Sequence, residues 1–318
     1  MIKMLQGGAD SDWFFARDAD MRIIRIGNRQ IAIKDYYCSE NGEYLSKEDG
    51  KLWLYVNLTD VCPAACPFCV NPGRKSGETG FNLSVFKDTL RHIKSYVYGI
   101  SFTGGEPMME PELLDHAIEV AAEIMGRDIE IDMVTNGINL NMIPSISSIA
   151  RLDSIHLSRH RINDEENRKL MGFDAPEISD IQKVLLKLND PAQVVLNCVL
   201  AKKGVCSIEM IADYLEMAAG IGVSNSSFIA MIPANKYCKE EYINPATLDF
   251  RTDPRFRIWN HFYDHEYCSC SSGDYIARNG CVRFYYRMPG CKRAPFARQL
   301  VYTSDNHLLK GFGQKQLW

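Results

Sequence analysis

From Leu52 onward the chain alternates short runs of β-branched, aliphatic and aromatic residues with segments whose apolar positions recur every three or four residues. The first kind of run fills a buried strand and the second lines one helix face, so the alternation predicts β-α-β units around a parallel sheet. Strands are expected at 52–58, 98–102, 129–135, 154–158, 193–200 and 226–232. Between the first two, Leu83, Phe86, Leu90, Ile93 and Val97 share a helical face behind Asn82, a good N-cap. Leu113, Leu114, Ala117, Ile118 and Ala121 repeat the pattern. So do Ile181, Val184, Leu185 and Leu188, and then Ile208, Ile211, Leu215 and Ala218, where Gly220 is expected to end the helix. A weaker helix is expected between Met142 and Ile149, while 164–177 reads equally as helix or loop.

Ahead of these units, Arg22 to Lys34 reads as a hairpin, and beyond Pro233 the alternation gives way to Cys, Tyr, Arg and Gly. The expected division is an extension over 1–50, six β-α units over 51–235, and a small Cys-rich domain over 236–318. Six parallel units make an incomplete barrel or an open doubly wound sheet. Either places its site at the C-terminal ends of the strands.

With 318 residues, 46% hydrophobic, 24% charged and a net charge of −4, the chain has the makings of one or two globular domains, which excludes disorder and collagen-like repeats. The N-terminus lacks a basic region followed by an apolar one, and no apolar run approaches the roughly 18 residues of a membrane span. The expectation is a cytoplasmic protein that engages neither membrane nor nucleic acid. Eleven cysteines change the picture, because in a reducing compartment thiols serve metals or catalysis rather than disulfides. Cys38, Cys198, Cys206 and Cys238 are scattered and read as small buried hydrophobes.

The segment from Thr59 to Cys69 follows the first strand directly and puts Cys62, Cys66 and Cys69 on one loop. Three close, soft ligands suit an iron–sulfur cubane, and no fourth ligand is adjacent to close a structural zinc site. This Cys-x3-Cys-x2-Cys spacing, with Phe68 before the last cysteine, resembles the signature of the radical S-adenosylmethionine superfamily. Thr103, Gly104, Gly105, Glu106 and Pro107 after the second strand are similar to that family's Gly-Gly-Glu-Pro element, which implies that the carboxylate and backbone hold the methionine ammonium. Thr135-Asn136-Gly137 ends the third strand, Ser158 the fourth, and Asn197 lies on the fifth. The resemblance implies that Asn136, Ser158 and Asn197 meet the methionine carboxylate and ribose, and that Met231, in a sixth-strand segment like the family's, lies at the adenine. Arg159-His160-Arg161 departs from the pattern, replacing the acidic residue that commonly follows the fourth-strand serine.

The resemblance spans 52–235 and implies a partial (β/α)6 TIM-like barrel. It also implies a [4Fe-4S] cluster on Cys62, Cys66 and Cys69, and reductive cleavage of S-adenosylmethionine to a 5′-deoxyadenosyl radical that removes a substrate hydrogen. The electron would come from an external one-electron reductant such as flavodoxin or ferredoxin. The first step requires no side-chain acid or base, so no catalytic side chain is assigned.

Near the C-terminus, Cys268, Cys270, Cys281 and Cys291 supply four thiols, with a strand expected over 282–287. They resemble the auxiliary-cluster domains called twitch and SPASM, which implies a second iron–sulfur cluster; zinc and plain buried thiols are the other readings. From Ala277 onward there are eight basic residues against one acidic, with Arg283 and Arg287 on the same strand face, a candidate grip for an anionic group.

Element order also resembles the molybdenum-cofactor enzymes that rearrange a guanosine triphosphate. The C-terminal cysteines instead run Cys-x-Cys-x10-Cys-x9-Cys, and the end Gln316-Leu317-Trp318 lacks the Gly-Gly of those enzymes. The expected function is modification of a ribosomal peptide or small natural-product precursor. An anionic nucleotide or phosphorylated metabolite is the alternative substrate, and an iron–sulfur redox sensor or electron carrier the alternative of another class.

Overall fold

A computed structural model of the chain describes residues 21–27, 29–34, 52–69, 77–126, 129–232, 234–244, 247–264, 268–289, 297 and 299–311. The hairpin expected near the start is present as β1 (Met21–Ile26) and β2 (Arg29–Lys34), in antiparallel register. Its Ile24, Ile26, Ile31 and Ile33 are buried in the main core, so period-two patterning fixed its inner face.

The expected strands appear as β3 (Leu52–Thr59), β4 (Val97–Gly104), β5 (Glu130–Thr135), β6 (Ser154–Ser158), β7 (Val194–Leu200) and β8 (Asn225–Ala230), each parallel to the next. Helices α1 (Leu83–Ile93) and α2 (Pro111–Met125) follow β3 and β4, and α3 (Asp164–Met171) and α4 (Ile178–Leu185) follow β6. Helices α5 (Ile208–Gly220) and α6 (Lys236–Glu241) follow β7 and β8. Asn82 caps α1, its side chain accepting from the N–H groups of Ser84 and Val85. Helix α5 runs through Gly220, and the turn falls two residues later at Gly222, where φ is +89°. The weaker helix over 142–149 is instead two three-ten turns, over Leu140–Ser145 and Ser147–Arg151; Pro144 inside the first cannot donate to an α-helical ladder.

One face of each strand meets the helices. Phe102 of β4 packs on Phe86 of α1, Phe228 of β8 on Tyr214 of α5, and Ile155 and Leu157 of β6 line a small apolar cavity with Ile181, Val184 and Leu185 of α4. The alternate residues, among them Tyr55, Asn57, Ser101, Asp132, His156 and Asn197, therefore face inward.

Past residue 235 come β9 (Phe256–Asp264), β10 (Cys268–Ala277), β11 (Gly280–Pro289), β12 (Gln299–Tyr302) and β13 (Leu308–Leu309). The sheet continues across the expected boundary: β11 pairs parallel with β8, and β12 pairs parallel with β3 at the opposite edge. The order is β13-β12-β3-β4-β5-β6-β7-β8-β11-β10-β9. Among the described residues, no helix is long and apolar enough to cross a membrane.

Candidate active site at the C-terminal ends of the strands

The loop leaving β3 carries Cys62, Cys66 and Cys69 as half-buried thiols, none in a disulfide. Helix α3 supports it from behind: the Met171 carbonyl accepts from the Ala65 N–H at 2.7 Å, and Gly172, at φ +69°, lies where a Cβ would press on Ala65. From the other side, Asn235 donates from Nδ2 to the Pro67 carbonyl, and Cys238 approaches the Phe68 carbonyl. Among the described residues, no three His, Cys, Asp or Glu side chains converge on a single metal ion.

The double glycine is explained by this loop. Gly104, at φ +129°, would bring a Cβ to 2.5 Å from the Thr59 carbonyl oxygen, and a Cβ on Gly105 would collide with the Val61 carbonyl. The Gly105 N–H donates to Thr59 at 2.6 Å, so the glycines let one strand end seat the cysteine loop of its neighbour.

Glu106 is 1% exposed and committed inward. Its Oε1 accepts from Thr135 Oγ1 (2.7 Å) and the Met108 N–H (3.0 Å), and its Oε2 from the Asn136 N–H (2.6 Å). Burial outweighs these three donors and raises its pKa to about 7. It thereby ties the end of β4 to the end of β5, while Pro107 starts the short turn behind it. Asn136 in turn donates from Nδ2 toward the Cys62 sulfur at 3.6 Å. Thr103 and Ser158 are half-buried at the same ends of their strands.

Phe68 and Met231 meet in a small apolar group with Val199, Ala201, Tyr237 and Cys238. Phe68 also stands edge-on to His160, 4.8 Å between ring centres. Arg159, His160 and Arg161 are buried and internally bonded. Arg159 pairs with Asp164 at 2.6 Å, His160 Nδ1 accepts from the Val199 N–H, and Arg161 donates to the carbonyls of His160 and Lys203. Burial holds the His160 pKa down at about 3, so it packs as a neutral ring.

Deeper in the barrel lies a network that local pattern reading missed. Ser101 donates to Asp132, whose carboxylate is 3.8 Å from His156 Nε2. His156 Nδ1 lies 3.1 Å from Asn197 Oδ1 and 3.3 Å from the Tyr285 hydroxyl. Asn197 is thus engaged with His156. The available signal was a single polar residue inside an apolar strand, as in Ile131-Asp132-Met133 and Ile155-His156-Leu157.

The C-terminal cysteines are not brought together as a set of four. Cys270 lies opposite Arg287, and Cys281 opposite Ile276, six residues further along β10. That is about 20 Å at strand rise, far beyond what the thiolates of one cubane span. Cys268, opposite Pro289, is further still from Cys281, and Cys291 lies outside the described residues. Arg283 and Arg287 lie four residues apart on β11, in register with Asn225 and Ile229 of β8.

The radical SAM superfamily model matches residues 56–243, more than half of the chain. The chain belongs to this superfamily. Its members use a [4Fe-4S] cluster and S-adenosylmethionine, and this chain has an α/β, mostly parallel sheet of the family's TIM-like kind. A probable GTP 3′,8-cyclase of Saccharolobus islandicus is 28% identical over 187 residues, covering 57% of this chain and 57% of that protein. PqqA peptide cyclase of Gluconobacter oxydans is 28% identical over 174 residues, 52% of this chain and 47% of the cyclase. The chain thus spans about half the length of the curated relatives it matches. Streptococcus suis SuiB, solved bound to S-adenosylmethionine, superposes with a TM-score of 0.56 at 16% identity, over 84% of this chain and 62% of SuiB, a likeness of fold.

Proposed function

We propose that this radical SAM enzyme removes a hydrogen from a peptide or small natural-product precursor seated inside the barrel. The observation that carries the reading is the cofactor end. Three unpaired-by-disulfide thiols lie on one loop seated on Gly104 and Gly105, and Asn136 reaches the Cys62 sulfur. Cys62, Cys66 and Cys69 would hold the cluster, Phe68 and Met231 an adenine, and Gly104–Pro107, Asn136 and Ser158 the polar parts of S-adenosylmethionine. Bound together, these cofactors supply one-electron cleavage and a carbon radical. The protein's part is to orient the substrate and keep water and stray hydrogen donors out.

The peptide reading draws on PqqA peptide cyclase and on SuiB, solved also with the precursor peptide SuiA. The Ser101–Asp132–His156–Tyr285 network gives the interior both donors and acceptors, which suits a peptide's amides. An anionic nucleotide or phosphorylated metabolite is the second reading. It is favoured by exposed Arg257 and Arg283 beside Asp274 and by the GTP 3′,8-cyclase relatives. Cys268 and Cys270 stay candidates for a second cluster, as part of a small C-terminal domain over 236–318, and an external flavodoxin or ferredoxin would deliver the electron. An electron carrier without turnover would have no use for the Gly104–Pro107 segment.

The test is anaerobic reconstitution, addition of dithionite and quantification of 5′-deoxyadenosine and methionine. Both are expected; a cluster-loaded protein that makes neither would overturn the proposal.

A further inference from the structure

The two helices that flank the cysteine loop carry opposite charge. On one side α3 supports the loop through the Met171 carbonyl and the Ala65 N–H, and residues 164–177 hold five acidic side chains against Arg168 and Lys169. On the other side α6 touches the loop between its second and third cysteines. Asn235, the N-cap of α6, donates to the Pro67 carbonyl at 2.9 Å, and Cys238 Sγ lies 3.6 Å from the Phe68 carbonyl. With Asn235 and Cys238 turned to the loop, Lys236, Lys239 and Glu240 are left exposed.

The bend after β7 adds Lys202 and Lys203 to that surface. The Lys202 N–H donates to the Glu241 carbonyl at 3.0 Å and its Nζ to the Glu240 carbonyl at 2.8 Å, while Lys203 Nζ lies 3.3 Å from Glu241 Oε1. Glu241 is only 5% exposed, whereas the side chains of Lys203 and Lys236 are 86% and 88% exposed. Four lysines and one carboxylate, that of Glu240, therefore stand toward solvent. Ile232, 51% exposed just ahead of α6, adds an apolar side chain, and docking surfaces combine an apolar centre with a charged rim.

Surface lysines are ordinary; their place beside the cysteine loop gives these a use. Electron tunnelling falls off steeply with distance, so a donor has to come within about one layer of side chains of the cluster ligands. An anionic carrier is repelled by the α3 flank and attracted by the α6 flank.

We propose that Lys202, Lys203, Lys236 and Lys239 dock an acidic one-electron carrier protein and bring its redox centre to the cysteine loop. The assignment rests on the cluster reading above and adds the face through which the electron enters. In the transfer the carrier is oxidised by one electron and the [4Fe-4S] cluster on Cys62, Cys66 and Cys69 is reduced by one, with no bond made or broken.

The probe is an acidic flavodoxin. Its binding to the anaerobically reconstituted full-length protein is measured by isothermal titration, and 5′-deoxyadenosine is quantified with reduced flavodoxin and, separately, with dithionite, which needs no docking. Wild type is expected to bind flavodoxin about tenfold or more weakly at about 500 mM salt than at about 50 mM. Lys236→Glu/Lys239→Glu, and a second variant with all four lysines replaced by glutamine, should bind about tenfold more weakly at low salt and lose most of the salt dependence. Flavodoxin-driven product should fall in proportion, with dithionite-driven product within about twofold of wild type. The double variant keeps Lys203 on Glu241, so no buried carboxylate loses its partner. Glu165→Gln/Glu166→Gln, on the acidic flank, should not weaken binding.

Wild-type binding in both lysine variants overturns the assignment and leaves the lysines to another acidic partner, such as an acidic segment of a peptide substrate. An equal loss of dithionite-driven product also overturns it, because the lysines would then be supporting the loop. So does wild type that makes product with dithionite and binds no flavodoxin at low salt. Wild type that makes no 5′-deoxyadenosine with either reductant overturns the cofactor reading as well.

Discussion

Cys62, Cys66 and Cys69 lie on one loop at the end of β3, whereas Cys268, Cys270 and Cys281 lie on the two strands of the β10–β11 hairpin. In the loop, a spacing of three or four residues keeps the thiols within one small volume. In the hairpin, ten residues between Cys270 and Cys281 take the chain along one strand and onto the next. Antiparallel register then decides the outcome, leaving Cys281 about 20 Å from Cys270. Closeness in sequence implies closeness in space only where the backbone turns locally; along strands it can imply the reverse.

The largest effect that tests this contrast is in the loop. Replacing Cys62, Cys66 and Cys69 together by alanine, or Cys66 alone, should abolish 5′-deoxyadenosine, and the triple variant should lose about four irons by chemical analysis. Product from the triple variant would remove the cluster from this loop.

Next comes Glu106, which acts on stability through pH. Its carboxyl titrates near 4.5 in the unfolded chain and near 7 in the folded protein. Between those values the folded state holds the extra proton, so its contribution to stability is full below about 4.5 and is lost as pH rises through 7. The loss is on the order of 3 kcal/mol. Urea unfolding of cofactor-free wild type and Glu106→Gln from pH 5 to 8 should show wild type losing ground to the variant as pH rises. Parallel curves would mean that the three donors hold the carboxylate ionised. His160, held down at about 3, has the opposite slope, with stability lost as pH falls below about 6.5, so the difference between the two proteins isolates Glu106.

Gly105→Ala should cost about 1–3 kcal/mol, because its methyl meets the backbone of Asp60 and Val61 rather than a movable side chain. It should also lower iron loading, measured per folded protein. Full loading would show that the loop yields without cost to the cluster. The smallest effect is expected for Cys281→Ala, an exposed thiol: stability within about 0.5 kcal/mol and unchanged iron content. Iron lost from that variant would break the contrast between the two regions.

Much of the barrel was legible from local pattern. Strand and helix periods located β3 to β8, and Asn82 and the Leu83–Ile93 stripe located α1. The ambiguous stretch 164–177 resolved into α3, capped by Asn163 and ended by Gly172, followed by a loop. What stayed hidden was contact across strands. His156 gave no local sign that Asp132, Asn197 and Tyr285 would surround it, and Arg159 to Arg161, which break the family pattern, turned out to bond inward. Glu106 makes the point most sharply: a motif names the glutamate, while burial and bonding show that its carboxylate ties the end of β4 to the end of β5.

The sequence by itself determined the repeating units and the loop that carries the cluster cysteines, because helix period, strand alternation and tight ligand spacing are all local. Only the tertiary structure decided that β11 adds to β8 and β12 to β3, that Cys281 parts from Cys270, and that the inner face is polar at His156. Those outcomes depend on register between segments far apart in the chain. Register is set by how whole faces fit once the core is packed, and no short stretch of residues contains it.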